Sequence, residues 1–298
     1  MKAKNPLGQV SDYDLRLLRL FKTVAECGSF SAAESALGIT RSAVSLQMSD
    51  LEKRLGMRLC QRGRAGFALT DEGRDVLRAA DILLAAVENF RTEVNQINQA
   101  LKGDLNIGIV NNLVTMPQMR VTHALKQLCG KSSDVRINIS MSTPGEIERG
   151  LIDGRLHVGV IPMNNMLSGL EYSQLYQESA HLYCSHEHSL FEQPEPDDEQ
   201  LKVTDAVIPS YRMTAEAMAL HQRLNCTATA SDREGIAFLI LTGRYIGFLP
   251  DHYAANWVDR GKMKSLCPEQ LFFDSKLAIA TRKGRRSNLI VESFLDFL

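Results

Sequence analysis

The sequence predicts an α/β protein in three parts: an N-terminal winged helix-turn-helix (residues 1–70), a long linker helix (71–102) and a C-terminal two-lobed α/β domain (103–298). Three observations carry this. Two short helical patterns with a glycine turn between them occupy 31–55, an unbroken heptad seam runs from 76 to 101, and strands alternate with helices from 105 onward.

Composition sets the outer limits. The 298 residues are 44% hydrophobic and 23% charged, which excludes fibrous and disordered classes and favours two or three modules. The net charge of −1 offers no hint of a polyanionic partner, but it is a sum over unlike parts: residues 1–70 carry +5 and the remainder −6. Ile82–Val87, the best apolar run, stops at Glu88, far short of the roughly 20 residues a membrane helix needs, so no membrane partner is expected. The polar start Met1-Lys2-Ala3-Lys4 does not read as a secretory signal. Six scattered cysteines without a C-x-x-C pair read as reduced thiols of a cytoplasmic protein, with a redox pair as the lesser alternative.

The first helix is expected from Ser11 to Cys27-Gly28, with Leu15, Leu18, Phe21 and Val24 on one face. Ser31-Ala-Ala-Glu34 has the form of a capping box opening a second helix that ends at Gly38. Thr40 then caps a third, Arg41–Leu55, which turns Val44, Met48, Leu51 and Leu55 inward and Arg41, Ser42, Ser45 and Ser49 outward. This layout suits a helix that enters the major groove, where Arg41 can reach guanine and the serines can reach bases or phosphates. Residues 57–69 read as a β-hairpin wing with Arg62 and Arg64 near its tip. The alternative on spacing alone is a small helical bundle with a solvated basic face.

The run Ser31-Ala-Ala-Glu-Ser-Ala-Leu-Gly-Ile-Thr-Arg-Ser-Ala-Val-Ser-Leu-Gln-Met-Ser-Asp-Leu-Glu-Lys-Arg-Leu-Gly56, followed by Leu69-Thr-Asp-Glu-Gly73, resembles the DNA-binding signature of LysR-type transcriptional regulators. The likeness covers residues 12 to 73. It implies DNA contacts from Ser31, Thr40, Arg41, Ser42, Ser45, Gln47 and Ser49, with Arg62 and Arg64 on the wing. Arg41-Ser42 and Leu46 depart from the family's usual residues on the reading surface, so the target sequence does not transfer.

From Thr70 to Lys102, Val76, Ala80, Leu83, Val87, Phe90, Val94, Ile97 and Leu101 recur at alternating spacings of four and three. A stripe of this kind must be covered, either by a partner helix or by the chain's own second domain. A partner helix gives a homodimer and sets the spacing of two operator half-sites on double-stranded DNA. The resemblance adds that tetramers are common in the family.

Beyond Gly103 the expected elements are strands at 105–110, 135–141 and 156–161 with helices at 116–128 and 145–152. Further strands are expected at 171–176, 180–184, 206–208, 226–228, 245–249 and 271–280, with helices at 232–241 and at the end. The alternation suggests a parallel sheet. The order resembles the LysR effector domain, which is similar to type 2 periplasmic binding proteins. Its lobes are expected at 103–162 plus 267–298 and at 163–266, crossing near Ile161–Met163 and Ser265–Pro268. Carried over by that resemblance, the effector cleft is Val110, Asn111, Asn112, Ser142, Thr143, Ile161, Pro162, Pro209, Ser210, Thr229 and Phe248. Loop capping is the competing role for any one of these. A small carboxylate or another polar metabolite would suit the set. His157 stands where the family commonly has Asp.

His181-Leu-Tyr-Cys-Ser-His-Glu-His188 is the most metal-like stretch, but a strand puts His181 and Cys184 on opposite faces, so no metal or other cofactor is expected. No nucleophile elbow, P-loop or dinucleotide fingerprint occurs. The resulting expectation is an effector-controlled DNA-binding regulator and not an enzyme, with RNA polymerase as a further partner if it activates. The alternative is a ligand-binding protein or enzyme with an N-terminal dimerisation module.

Overall fold

The computed structural model describes residues 8–63, 66–97, 101–164, 166–193, 195–285 and 288–298. The chain divides into two compact units, Met1–Arg91 and Thr92–Leu298.

The first unit holds α1 (Asp12–Cys27), α2 (Phe30–Leu37), α3 (Arg41–Leu55), β1 (Cys60–Gly63), β2 (Gly66–Leu69) and most of α4 (Asp71–Ile97). Ser11 and Asp14 form a capping box at the start of α1. The buried face of α1 is Leu17, Leu20, Phe21 and Val24, while Leu15 and Leu18 are only half-buried. A spacing of three drifts around a helix of 3.6 residues per turn, so the stripe read from the sequence was displaced. The cap of α2 also differs: Ser29 accepts from Ala32 N, and Ser31 lies exposed inside the helix. Thr40 caps α3 as expected, and Val44, Met48 and Leu51 meet Leu17, Phe21 and Val24 in one core. Arg54 Nε and a terminal nitrogen grip both Asp14 carboxylate oxygens at 2.6 and 2.9 Å, fixing α3 to α1.

The wing β1–β2 is an antiparallel hairpin with Cys60 opposite Leu69 and Gly63 opposite Gly66. Glu52 on α3 accepts from Leu59 N at 2.9 Å and Cys60 N at 3.3 Å, which ties the wing base to that helix. On the other side a Cβ at Gly73 would sit 1.9 Å from Leu59 O, so only glycine lets α4 start this close to the wing.

The seam of α4 is divided. Val76 packs on the head core and Ala80 is buried. Ion pairs Lys22–Asp81 and Arg19–Glu88 lay α1 alongside the middle of the helix. Leu83 and Val87 are half-buried, whereas Phe90 is 67% exposed and Val94 41%. The side chain of Ile97 lies outside the described residues, and Leu101 packs against the core of the second unit. The head thus covers Val76 and Ala80 and the second unit covers Leu101, while the stretch around Phe90 and Val94 is left exposed. Residues 71–91 group with the head and 92–102 with the second unit.

The second unit continues with β3 (Gly103–Ile109), a 3-10 turn (Leu113–Thr115), α5 (Arg120–Lys131), β4 (Val135–Met141), α6 (Pro144–Ile152), β5 (Val158–Pro162) and β6 (Leu170–Ser185). After these come α7 (Asp198–Val203), β7 (Asp205–Pro209), α8 (Ala215–His221), β8 (Asn225–Ala230), α9 (Arg233–Leu241) and β9 (Gly247–Pro250). The last elements are α10 (Asp251–Val258), β10 (Met263–Leu266), β11 (Phe272–Arg282) and α11 (Leu289–Asp296).

Among the described residues one seven-stranded sheet runs in the order β10-β6-β11-β5-β3-β4, with β9 also on β6, and β7 pairs with β8 in a second sheet. Only β3–β4, β3–β5 and β7–β8 are parallel; the pairings of β6 and β11 are antiparallel, so the parallel-sheet expectation holds for part of the domain.

Two strands span both lobes. Leu170, Leu175 and Tyr176 of β6 lie in one core with Leu277 and Ile279 of β11, while Leu182 and Cys184 of β6 pack with Leu266 and Leu271 in another. The crossing thus lies near 177–180 and 273–276, and not near Ile161–Met163 or Ser265–Pro268. The expected break between 176 and 180 does not occur. Its polar residues are satisfied across the strands, Ser179 Oγ donating to Asp274 Oδ1 at 2.6 Å, so β6 runs through. The helix expected from Met116 begins only at Arg120, after Met119 at φ 45°.

His157 Nδ1 accepts from Asn106 N at 3.0 Å. Burial lowers its imidazole to about 4, so the neutral ring supplies the acceptor a carboxylate would offer there.

Candidate nucleic-acid interface and ligand pocket

On the head, Ser31, Thr40, Arg41 and Ser42 are exposed, and Ser45, Gln47 and Ser49 are half-buried. Thr40 Oγ1 accepts from Ala43 N and lies 3.0 Å from Ser42 Oγ, so the cap fixes the first turn of α3 on which Arg41 stands. Four positions beyond Ser42, Leu46 is 71% exposed. An apolar side chain held out from this face can meet a thymine methyl group, and its place in the helical pattern was the available signal. The Arg62 side chain and all of Arg64 lie outside the described residues.

In the second unit a cavity of about 250 Å³ opens between the lobes. Val110, Asn111, Ser142, Thr143 and Pro162 line it, as the sequence placed them. An adjoining chamber of about 60 Å³ has Pro209 and Phe248 in its wall. Ile161 is wholly buried in a lobe core, and Ser210 and Thr229 face solvent. These three, with Asn112, line neither space. Asn112 is instead the left-handed residue (φ 67°) that opens the 3-10 turn.

Residues not anticipated complete the pocket. Ser231, Asp232 and Arg233 come from the β8–α9 junction, and Tyr211 and Arg212 from the loop after β7. The signal for them was the rule that ligands gather beyond strand carboxyl ends at helix starts. Behind the pocket, Glu178 in β6 has a 2% exposed side chain and forms ion pairs with Arg233 and with His252 Nε2, the latter at 3.0 Å. Burial pushes the Glu178 carboxyl up, but the hydrogen bond from His252 and the charge of Arg233 outweigh it and hold it below the usual carboxylate range. Arg233 is thereby set in place at the pocket wall.

The metal-like stretch is used for structure. His181 Nδ1 meets Asp251 Oδ1 at 2.7 Å and its ring stacks on Phe272, while Cys184 is buried in a lobe core. Among the described residues no helix is long and apolar enough to cross a membrane.

A recognition helix with a wing, followed on one chain by a two-lobed domain with an inter-lobe pocket, defines a DNA-binding regulator with a ligand-sensing part. Residues 15–74 match the family described as bacterial regulatory helix-turn-helix protein, lysR family, and residues 98–298 match the LysR substrate binding domain. The chain belongs to the LysR family of transcriptional regulators. It is 65% identical to the HTH-type transcriptional activator BauR of Pseudomonas aeruginosa, across 99% of this chain and 98% of that protein. It is 27% identical to the regulator CrgA of Neisseria meningitidis serogroup B, over 94% of each. Full-length CbnR has the same fold, with a TM-score of 0.68 free and 0.67 in complex with its target DNA, at 19% identity and 95% coverage of this chain. The alternative in which the head serves only for dimerisation does not stand.

Proposed function

We propose that the chain is an effector-responsive transcriptional activator, and not an enzyme, acting in the cytoplasm. Its dimer places two α3 helices on an operator with two half-sites. The observation that carries this reading is full-length 65% identity to a transcriptional activator in a chain with an inter-lobe pocket.

The exposed stretch of α4 around Phe90 and Val94 supports a second copy as its cover, and pairs of such dimers would give a tetramer. Ser142, Thr143, Arg212 and the start of α6 in the pocket lining support a small carboxylate as effector. The basic head supports DNA, and RNA polymerase is the partner through which an activator acts.

The test is a thermal-shift screen of the full chain against small carboxylates, with a reporter on the promoters beside its gene. A true effector at 100 times its Kd stabilises by about 2.7 kcal/mol and raises expression. An effector that binds but leaves expression unchanged in the strain carrying the gene, or raises it equally in a strain lacking the gene, would contradict the activator reading.

A further inference from the structure

The 60 Å³ chamber beside the main pocket is lined by a histidine whose buried outer nitrogen no described residue satisfies. His221, at the end of α8, is 2% exposed and lines the chamber. Its Nδ1 is 2.7 Å from Ala217 O. A carbonyl only accepts, so Nδ1 carries the proton and Nε2 is left with its lone pair. Nε2 is buried and has no hydrogen-bond partner among the described residues. Burial lowers the imidazole's proton affinity and keeps Nε2 an acceptor. An unsatisfied acceptor of this kind carries a desolvation penalty unless something in the cavity donates to it.

The walls restrict the donor. Phe248 stands 4.9 Å from the His221 ring and 5.4 Å from Phe273, ring centre to ring centre, giving apolar faces on which a short carbon chain can lie. Glu178 is the only carboxylate among the described lining residues and is already paired with Arg233 and His252, while Arg212 and Arg233 are both present. An ammonium would enter without a counter-charge of its own, whereas a hydroxyl would not need one. Pro162, Asn164, Tyr211, Arg212 and Arg233 line both spaces, so one molecule can reach from the main pocket into the chamber. The volume is ample for a terminal hydroxyl, since a water needs only about 10–15 Å³ by the same measure.

We propose that this chamber is a specificity subsite of the effector pocket, where His221 Nε2 accepts a hydrogen bond from a hydroxyl at the far end of a short carboxylate effector. The inference rests on the carboxylate reading of the main pocket.

The test uses the full chain and matched probes: butanoate against γ-hydroxybutanoate, and pentanoate against δ-hydroxypentanoate, titrated by calorimetry. The hydroxylated member of at least one pair should bind about three- to tenfold more tightly, the ordinary net worth of one hydrogen bond. His221→Phe should abolish that preference, so that the two members of each pair bind equally. In histidine-labelled wild-type protein, nitrogen NMR should show the Nε2 resonance of His221 moving with the hydroxy acid and not with its plain partner. This readout holds even if the variant fails to fold. Equal binding within both pairs, or a preference that survives His221→Phe, overturns the subsite and leaves the carboxylate reading intact. A chain that binds none of the four acids fails both.

Discussion

Thr115 Oγ1 lies 2.6 Å from His252 Nδ1, a hydrogen bond that joins the 3-10 turn of one lobe to α10 of the other. Through His252 the contact continues to Glu178 on a crossing strand and to Arg233 at the pocket wall. A ligand in that pocket is therefore three residues from a bond whose two ends belong to different lobes.

Removing the bond should loosen the lobes. Thr115→Val keeps the shape and deletes the hydroxyl, so about 1 kcal/mol of stability should be lost. The melting midpoint should fall by about 2–4 °C. Differential scanning calorimetry of the full chain checks this, and an unchanged midpoint would show that the contact contributes nothing.

Two pH windows should separate the units. In the second, the His157 imidazole is lowered to about 4 by burial, so the unfolded chain binds its proton first as pH falls from about 6.5. Stability is complete above that and declines down to about 4, by up to roughly 3 kcal/mol for this group. His157→Gln should flatten the decline, though not fully, since burial lowers His188 and His221 in the same direction. In the head, hydrogen bonds from Arg54 and Ser11 hold the Asp14 carboxyl well below its usual range. Its contribution is present above about pH 4 and is lost below it, and Asp14→Asn should remove that acid-dependent part. Urea titrations across pH check both windows.

The head was largely legible in the sequence because its signals are local. Thr40 and Gly56 bound α3 in the structure where the motif placed them. The cap of α2 was misplaced by two residues because Ser29 and Ser31 offer the same hydroxyl, and only backbone geometry distinguishes them. The pocket was half legible. Ser142 and Thr143 sit beside a strand end and could be found there, whereas Arg233 owes its position to Glu178, 55 residues away in β6. The short helices α7, α8 and α10 went unread, since six to eight residues carry too little periodicity to register. The continuous β6 was hidden by a polar centre whose partners lie on β11.

Dimerisation should depend on the uncovered part of α4. Phe90→Glu places a charge where a 67% exposed ring awaits a partner. The variant should sediment as a monomer at micromolar concentration with an unaltered melting midpoint for the head. A variant that remains dimeric would move the interface elsewhere.

Base reading and phosphate contact should separate on α3 and the wing. Arg62→Ala should weaken binding to any duplex alike and lower the salt slope by about one. Leu46→Ala should change the preference at one base pair with the slope unchanged, as checked by anisotropy titrations on a panel of single-base operator variants.

Sequence reading is assigned to α3. Its most direct test is fluorescence anisotropy of the full chain, with and without Arg41→Ala, on an operator selected from random duplexes and on a scrambled control. The selected site should contain two half-sites about one helical turn or a multiple apart. Arg41→Ala should weaken binding to that site by about 1–3 kcal/mol and barely alter binding to the control. Equal loss on both duplexes, or none on either, would contradict it.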